Sequence, residues 1–412
     1  MIVDNILGNT TLIIIAVWLF FVIKKNNSIF NFLLVAFILR SSCLLLDQYF
    51  IPLPDSTADA IRYEIAAFNY SKDYGLNIIF NLFQDDSFFI SRIISIFYTL
   101  LDRSPMMAKA FSVWMGVGSV YLIYRLAFEL WGQQAAVRAG WVATLFPSLI
   151  LYSAIILKEP YTIFFFMYGL NGCVLFIKEK KISNFTQACF GLLVTTIING
   201  AMIFGIITFL IYVLFDIIKK KNYLIYKNKI FVYSLLLVFI LPIYFYVAGY
   251  YAIPKYGNFE RLTNIEITLK KITYSSRVST QHGASGAAYP KWLIPKNLEE
   301  IIYISPIRMI YFLYSPFPWD IKRLSHVVGL LDSLLYIYLS ICFWKNRKEC
   351  FKDPSLRFLI IVFMISIFVY CWGVGNFGTG IRHRSKFIGI LLALVAPRIA
   401  KFNFLKKIKI LK

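Results

Sequence analysis

Leu12-Ile-Ile-Ile-Ala-Val-Trp-Leu-Phe-Phe-Val-Ile23 and Ser234-Leu-Leu-Leu-Val-Phe-Ile-Leu-Pro-Ile-Tyr-Phe-Tyr-Val-Ala248 are apolar on every face. A transmembrane β-strand would alternate apolar with polar side chains, so these runs point to membrane helices. The rest of the chain agrees. Of its 412 residues 59% are hydrophobic and 16% are charged, with a mean hydropathy of +0.67. Soluble domains average about 45–50% apolar and about 25% charged residues. The composition therefore implies an all-α polytopic membrane protein and excludes a soluble enzyme, a secreted disulfide scaffold and a disordered chain.

Eleven spans of roughly the ~20 residues that a bilayer core needs are expected. They lie near 6–23, 29–47, 105–130, 136–157, 160–177, 185–199, 201–218, 229–249, 326–344, 357–373 and 386–399. Asp4 stands where a cleavable leader would carry basic residues, so the first run is expected to be a span. The run Phe88–Leu101 is amphipathic and contains Arg92, which suits an interfacial helix. Lys24-Lys25, Lys178 to Lys181, Lys219 to Lys221, Lys345 to Lys352 and Lys406 to Lys412 fall on one side if the spans alternate. The positive-inside rule makes that side the cytoplasm, with the N-terminus outside and the C-terminus inside. Two large loops, 47–104 and 250–325, and a short basic turn, 373–385, then face outward within one integral-membrane domain.

The net charge of +22 follows from 43 Lys and Arg against 21 Asp and Glu. Basic inner loops and contact with anionic membrane lipids account for it, and no nucleic-acid motif is present. The six cysteines lie in or beside apolar runs without CxxC spacing, so neither a disulfide framework nor a metal site is expected.

Residues able to carry chemistry gather in the outer segments. In Asp55-Ser-Thr-Ala-Asp59-Ala-Ile-Arg62-Tyr63-Glu64, a helix would bring Asp59, Arg62 and Tyr63 to one face. Asp59 then reads either as a helix cap or as a base towards a sugar hydroxyl. Lys158-Glu159-Pro160 sets two charges between apolar runs with hardly any loop, either a snorkelling Lys beside a helix-capping Glu or a functional site. The second loop offers Arg277 and His282 among small residues, followed by Arg308 in an aromatic, Pro-broken stretch that suits an interface belt or a lipid groove. In Gly373-Val-Gly-Asn-Phe-Gly-Thr-Gly-Ile-Arg382-His383-Arg384-Ser-Lys386, three cations and an imidazole stand beside four glycines. Forked guanidinium groups match phosphate oxygens, and glycines let backbone approach an anion. Carboxylates on one wall and cations on another suit group transfer from a lipid phosphate: a carboxylate takes a proton while arginines offset the departing phosphate.

The stretch from Ser104-Pro105 to Pro160, including Ala139-Gly-Trp-Val-Ala-Thr-Leu-Phe146-Pro147-Ser148-Leu-Ile-Leu-Tyr152-Ser153, resembles integral-membrane GT-C glycosyltransferases. Asp59-Ala60-x-x-Tyr63-x-x-x-Ala67 is similar to their first outer loop, whose acidic residue is catalytic. Arg382-His383-Arg384 and Pro316-Phe317-Pro318-Trp319 resemble Wzy-type repeat-unit polymerases of surface polysaccharides. The resemblance implies a bacterial inner-membrane enzyme with a periplasmic site. It would join undecaprenyl-pyrophosphate-linked oligosaccharides without a further cofactor, alongside the flippase and chain-length regulator of the pathway. Asp59 and Glu159 would be catalytic. Arg62, Tyr63, Lys158, Arg277, Arg308, Arg382, His383 and Arg384 would bind sugar or carrier phosphate. A decorating transferase with an undecaprenyl-phosphate-sugar donor is the alternative. A transporter is less favoured, because the deep charges are few: Arg40, Asp216 and Asp332.

Overall fold

The computed structural model describes residues 2–23, 27–82, 88–219, 287–295, 298–322 and 324–400. Among these the chain is helical, and the one bridge between extended residues pairs Ala288 with Asn376. Fifteen α-helices follow in order. They are α1 (Ile2–Ile23), α2 (Asn27–Tyr49), α3 (Asp59–Asp73), α4 (Phe89–Leu101), α5 (Pro105–Trp131), α6 (Gln133–Leu145), α7 (Pro147–Ser153), α8 (Glu159–Glu179), α9 (Ile182–Ile198), α10 (Ile203–Lys219), α11 (Leu298–Tyr314), α12 (Leu324–Cys350), α13 (Pro354–Trp372), α14 (Phe377–Arg384) and α15 (Ile388–Val395).

Seven of the expected spans are helices long and apolar enough to cross a membrane: Ile2–Phe21, Ile29–Tyr49, Pro105–Trp131, Glu159–Glu179, Gly200–Ile217, His326–Cys350 and Pro354–Trp372. The protein is thus an all-α polytopic membrane protein. The expected span 136–157 is instead the pair α6 and α7, bent by 58°. Pro147 causes the break: its ring disfavours helical backbone at Phe146, which is extended at φ −70°, ψ 119°. Those at 185–199 and 386–399 are shorter helices, Ile182–Ile198 and Ile388–Arg398, and 229–249 lies outside the described residues. The segment 250–325, expected as loop, contains the helix α11, which continues through Pro306.

The break in the α6–α7 span strips partners from backbone carbonyls at the end of α6, and Arg40 supplies them. From α2, fully buried, it donates to the carbonyls of Ala36 (3.2 Å), Thr144 (3.3 Å) and Ala143 (3.3 Å). A buried cation without a carboxylate partner is thereby set against the negative end of a helix. Elsewhere small residues bring the backbones together. A Cβ on Gly191 of α9 would lie 2.5 Å from the amide nitrogen of Gly169 in α8, and one on Gly172 would lie 2.5 Å from that of Ala188. Such close approach lets dispersion drive association where lipid competes for apolar surface.

Ion pairs and caps sort the helix ends. At one end of the bundle Lys180 meets Asp216 (2.6 Å), and the indole of Trp131 donates to the carbonyl of Ala393 (2.9 Å). At the opposite end Asp4 accepts from the Ser104 hydroxyl (2.7 Å) and the Met106 amide (2.9 Å), capping α5, while Lys109 pairs with Asp47 (2.8 Å). On that end α3 and α4 pack over the bundle through Tyr63, Ile90, Ile94, Tyr98, Met107 and Ile156. Glu64 of α3 fixes this cover, accepting both fork nitrogens of Arg103 (2.9 and 2.8 Å) and the Tyr98 hydroxyl (3.3 Å).

Candidate functional site

Three separate breaks in the helical pattern bring charges together beneath α3. After α7 the chain turns inward through Ile155, Ile156 and Leu157, all buried, so Lys158 and Glu159 enter the protein. Glu159 opens α8 at its electropositive end, and Pro160 costs no hydrogen bond in the first turn. Asp59 opens α3, after a turn in which Asp55 adopts φ +67°. Asn376 caps α14 by accepting from the Thr379 amide (2.8 Å), and this short helix presents Arg382. The expected basic turn is therefore a helix.

Arg382 joins the three. Its Nη1 donates to Asp59 Oδ2 (2.5 Å) and its Nε to Glu159 Oε1 (3.1 Å). The same glutamate oxygen takes the Lys386 ammonium at 3.2 Å, and Lys386 lies 2.7 Å from His383 Nδ1. With Lys386 charged, that ring nitrogen is the acceptor and His383 is neutral. Glu159 and Lys386 are completely buried, whereas the Asp59 side chain is 38% exposed. Arg62, itself 77% exposed, lies 3.7 Å from Asp59 Oδ1. Glu159 Oε2 has no hydrogen-bond partner among the described residues. One oxygen of this carboxylate is doubly neutralised and the other keeps its lone pairs uncommitted.

The charges shift one another. Burial works against the Arg382 cation, but Glu159 and Asp59 more than offset it and hold its pKa above the ordinary guanidinium value. Burial pulls the Lys158 ammonium below its usual pKa, with Glu159 opposing. Burial also raises the Asp55 carboxyl, while Arg382 draws it the other way. Asp55 is thus a third carboxylate within electrostatic reach of Arg382. Asp55 was given no role from the sequence, and Lys386 only a place among the three cations of its segment. The available signal was spacing: each stands four residues from a residue that was singled out, Asp59 and Arg382.

The other sequence candidates separate from this cluster. Tyr63 turns inward against Phe88, with ring centroids 5.3 Å apart. Arg384, expected at the carrier phosphate, is fully buried. It donates to Asp332 through Nε (3.0 Å) and Nη2 (2.8 Å), to Ser333 (3.0 Å) and to the carbonyls of Leu313 (2.7 Å) and Ser315 (2.6 Å). Asp332 also accepts from the Ser148 amide (3.3 Å), so Arg384 ties α14 to α7, α11 and α12. Arg308 is likewise buried, donating to the carbonyls of Cys371 (3.0 Å), Leu293 (2.8 Å) and Val374 (2.5 Å). Both arginines therefore frame the site without entering the Asp59–Arg382–Glu159 cluster. Arg277 lies outside the described residues.

No family model, no curated protein and no solved structure matches this chain.

Proposed function

We propose that the protein is a membrane glycosyltransferase that joins lipid-linked oligosaccharide repeat units, with undecaprenyl pyrophosphate as the leaving group. The observation that supports this reading is Arg382 shared between Asp59 and Glu159 at one end of an apolar bundle. A guanidinium held by a completely buried carboxylate keeps its fork in place for a phosphate oxygen. Its neighbour Asp59 is open enough to meet a sugar hydroxyl. In the reaction the acceptor oxygen attacks the anomeric carbon and the bond from that carbon to the phosphate oxygen breaks. Asp59 takes the hydroxyl proton, and Arg382, with Lys386 and Lys158 behind it, offsets the charge that develops on the phosphate. The basic loops at the other end of the bundle argue that the site opens on the periplasmic side.

A gel of surface polysaccharide from a strain lacking the protein tests the function. Loss of the ladder, with one repeat unit retained on the acceptor, is expected, and so is failure of Asp59→Asn, present at normal level, to restore it. A ladder that persists with altered spacing would replace the polymerase by a decorating transferase. An unchanged ladder would remove both.

A further inference from the structure

We propose that Asp59 is the resident counter-ion of Arg382 and that the phosphate of the lipid donor displaces it, so that donor binding itself frees the base. This inference rests on the reading of Arg382 as the phosphate contact and adds the order of events.

The two carboxylates that hold Arg382 are not equivalent. Glu159 is completely buried, sits in the first turn of a long helix and is also held by Lys386 at 3.2 Å. It has nowhere to go. Asp59 takes Nη1 at 2.5 Å, on the exposed side of the guanidinium, and its own side chain is 38% accessible. The first turn of α3 has no side-chain cap from Ala58 and is held by long backbone contacts to the Asp55 carbonyl, from the Ala58 amide at 3.4 Å and the Ala60 amide at 3.5 Å. A phosphate approaching from the side on which Asp59 is accessible therefore meets Arg382 Nη1 already occupied.

Charge leads to the same exchange. Three carboxylates, Asp55, Asp59 and Glu159, surround Arg382, with Lys386 and Lys158 as the other buried cations. A phosphate brings further negative charge to a set in which three carboxylates already face the three buried cations, the solvent-exposed Arg62 on Asp59 adding only a screened fourth. Unpaired charge is costly where water is scarce, so one carboxylate must leave, and Asp59 alone combines the Nη1 contact with an open side. Arg62 lies 3.7 Å from Asp59 Oδ1 and can hold it after the exchange. While Arg382 binds Asp59, Oδ2 is engaged by Nη1 and Oδ1 lies 3.7 Å from Arg62. When phosphate takes Nη1, Oδ2 is released to the acceptor hydroxyl. An empty enzyme is thus protected from acting as a base before its donor has arrived.

The test is binding of undecaprenyl phosphate to the detergent-solubilised full chain, titrated for the wild type, Asp59→Asn, Asp59→Ser and Arg382→Gln. Without the competing carboxylate both Asp59 variants should bind about three- to ten-fold more tightly, the range expected when a part-exposed ion pair and its repulsion of phosphate are removed. Both should also fail to transfer sugar. Arg382→Gln should lose most of the binding. Loss in Arg382→Gln with equal or weaker binding in both Asp59 variants would overturn the exchange while leaving Arg382 as the phosphate contact. Binding that Arg382→Gln does not change would overturn the exchange together with the reading beneath it. Two substitutions at Asp59 separate the missing charge from a misfolded variant, since the tighter binding must appear in at least the one that elutes as the wild type does.

Discussion

Arg382 and Arg384 are two residues apart, and on an α-helix that places them about 200° apart around the axis. This accounts for their division of labour. Arg382 faces Asp59 and Glu159, while Arg384 faces Asp332 and the carbonyls that end α11. Read as an irregular turn, the segment offered three equivalent cations; in the structure Arg382 and, four residues on, Lys386 reach Glu159, while Arg384 points away to Asp332. Asp55 carries a prediction at this scale. Burial raises its pKa in the folded protein, so the folded state holds the proton more tightly than the unfolded chain does. Its stabilising contribution is complete below the unfolded pKa and is lost as pH rises through the folded value. At neutral pH the ionised carboxylate works against the fold. Asn tolerates the positive φ at this position at least as well as Asp. Asp55→Asn should therefore raise the unfolding midpoint at pH 7.5 by about 1–3 °C, an advantage that vanishes towards pH 4. A tryptophan-fluorescence melt at both pH values checks it, and a lower midpoint at pH 7.5 would contradict the burial argument.

Elements differ in how far the sequence announces them. Uniformly apolar helices such as α1, α2 and α13 are legible because their composition alone fixes length and environment. The α6–α7 break was signalled by Pro147, yet apolar residues on both sides of it read as one continuous span. For α11 the error ran the other way: the aromatic, Pro-broken stretch around Pro306 and Arg308 was assigned to an outer loop, while packing against α13 keeps the segment helical. What joins elements was not legible. Asp59 and Arg382 are 323 residues apart, Arg384 and Asp332 52, and no local pattern states either pairing. Arg384→Met should cost about 3–5 kcal/mol, because Asp332 would be left buried and unpaired. The double variant with Asp332→Leu should recover much of that loss. Denaturant titrations of the two variants measure the difference, and equal losses would mean that the ion pair is not what joins these helices. The α8–α9 contact makes a separate prediction. Gly191→Val would press a side chain into the backbone of Gly169, where a Cβ already comes within 2.5 Å, so the helices must part. A fall of several degrees in the unfolding midpoint is expected, and a neutral result would refute close backbone packing there.

For the whole molecule, the sidedness of the bundle is the quantity on which the functional reading depends. The contacts place α3, α4 and the Asp59–Arg382–Glu159 cluster at one end, and the Lys180–Asp216 pair with the Trp131–Ala393 contact at the other. Geometry alone would allow either end to face the cytoplasm. The asymmetry of charge favours the proposed outward-facing cluster, because Lys178, Lys180, Lys181, Lys345, Arg347 and Lys348 gather in short segments at the end away from it. A lipid-linked glycan presented in the outer leaflet can reach the cluster only if that assignment holds. Five of the six native cysteines are buried and Cys43 is half-buried, so a single introduced thiol can report its side of the membrane with little background. Lys72, exposed near the end of α3, and Lys348, exposed near the end of α12, lie at opposite ends of the bundle. With the cluster facing outward as proposed, Lys72→Cys should react with a membrane-impermeant maleimide in intact spheroplasts, and Lys348→Cys only after their membrane is permeabilised. The reverse pattern would turn the cluster towards the cytoplasm, where soluble nucleotide-activated sugars are the available donors. Periplasmic polymerisation of lipid-linked repeats would then be untenable.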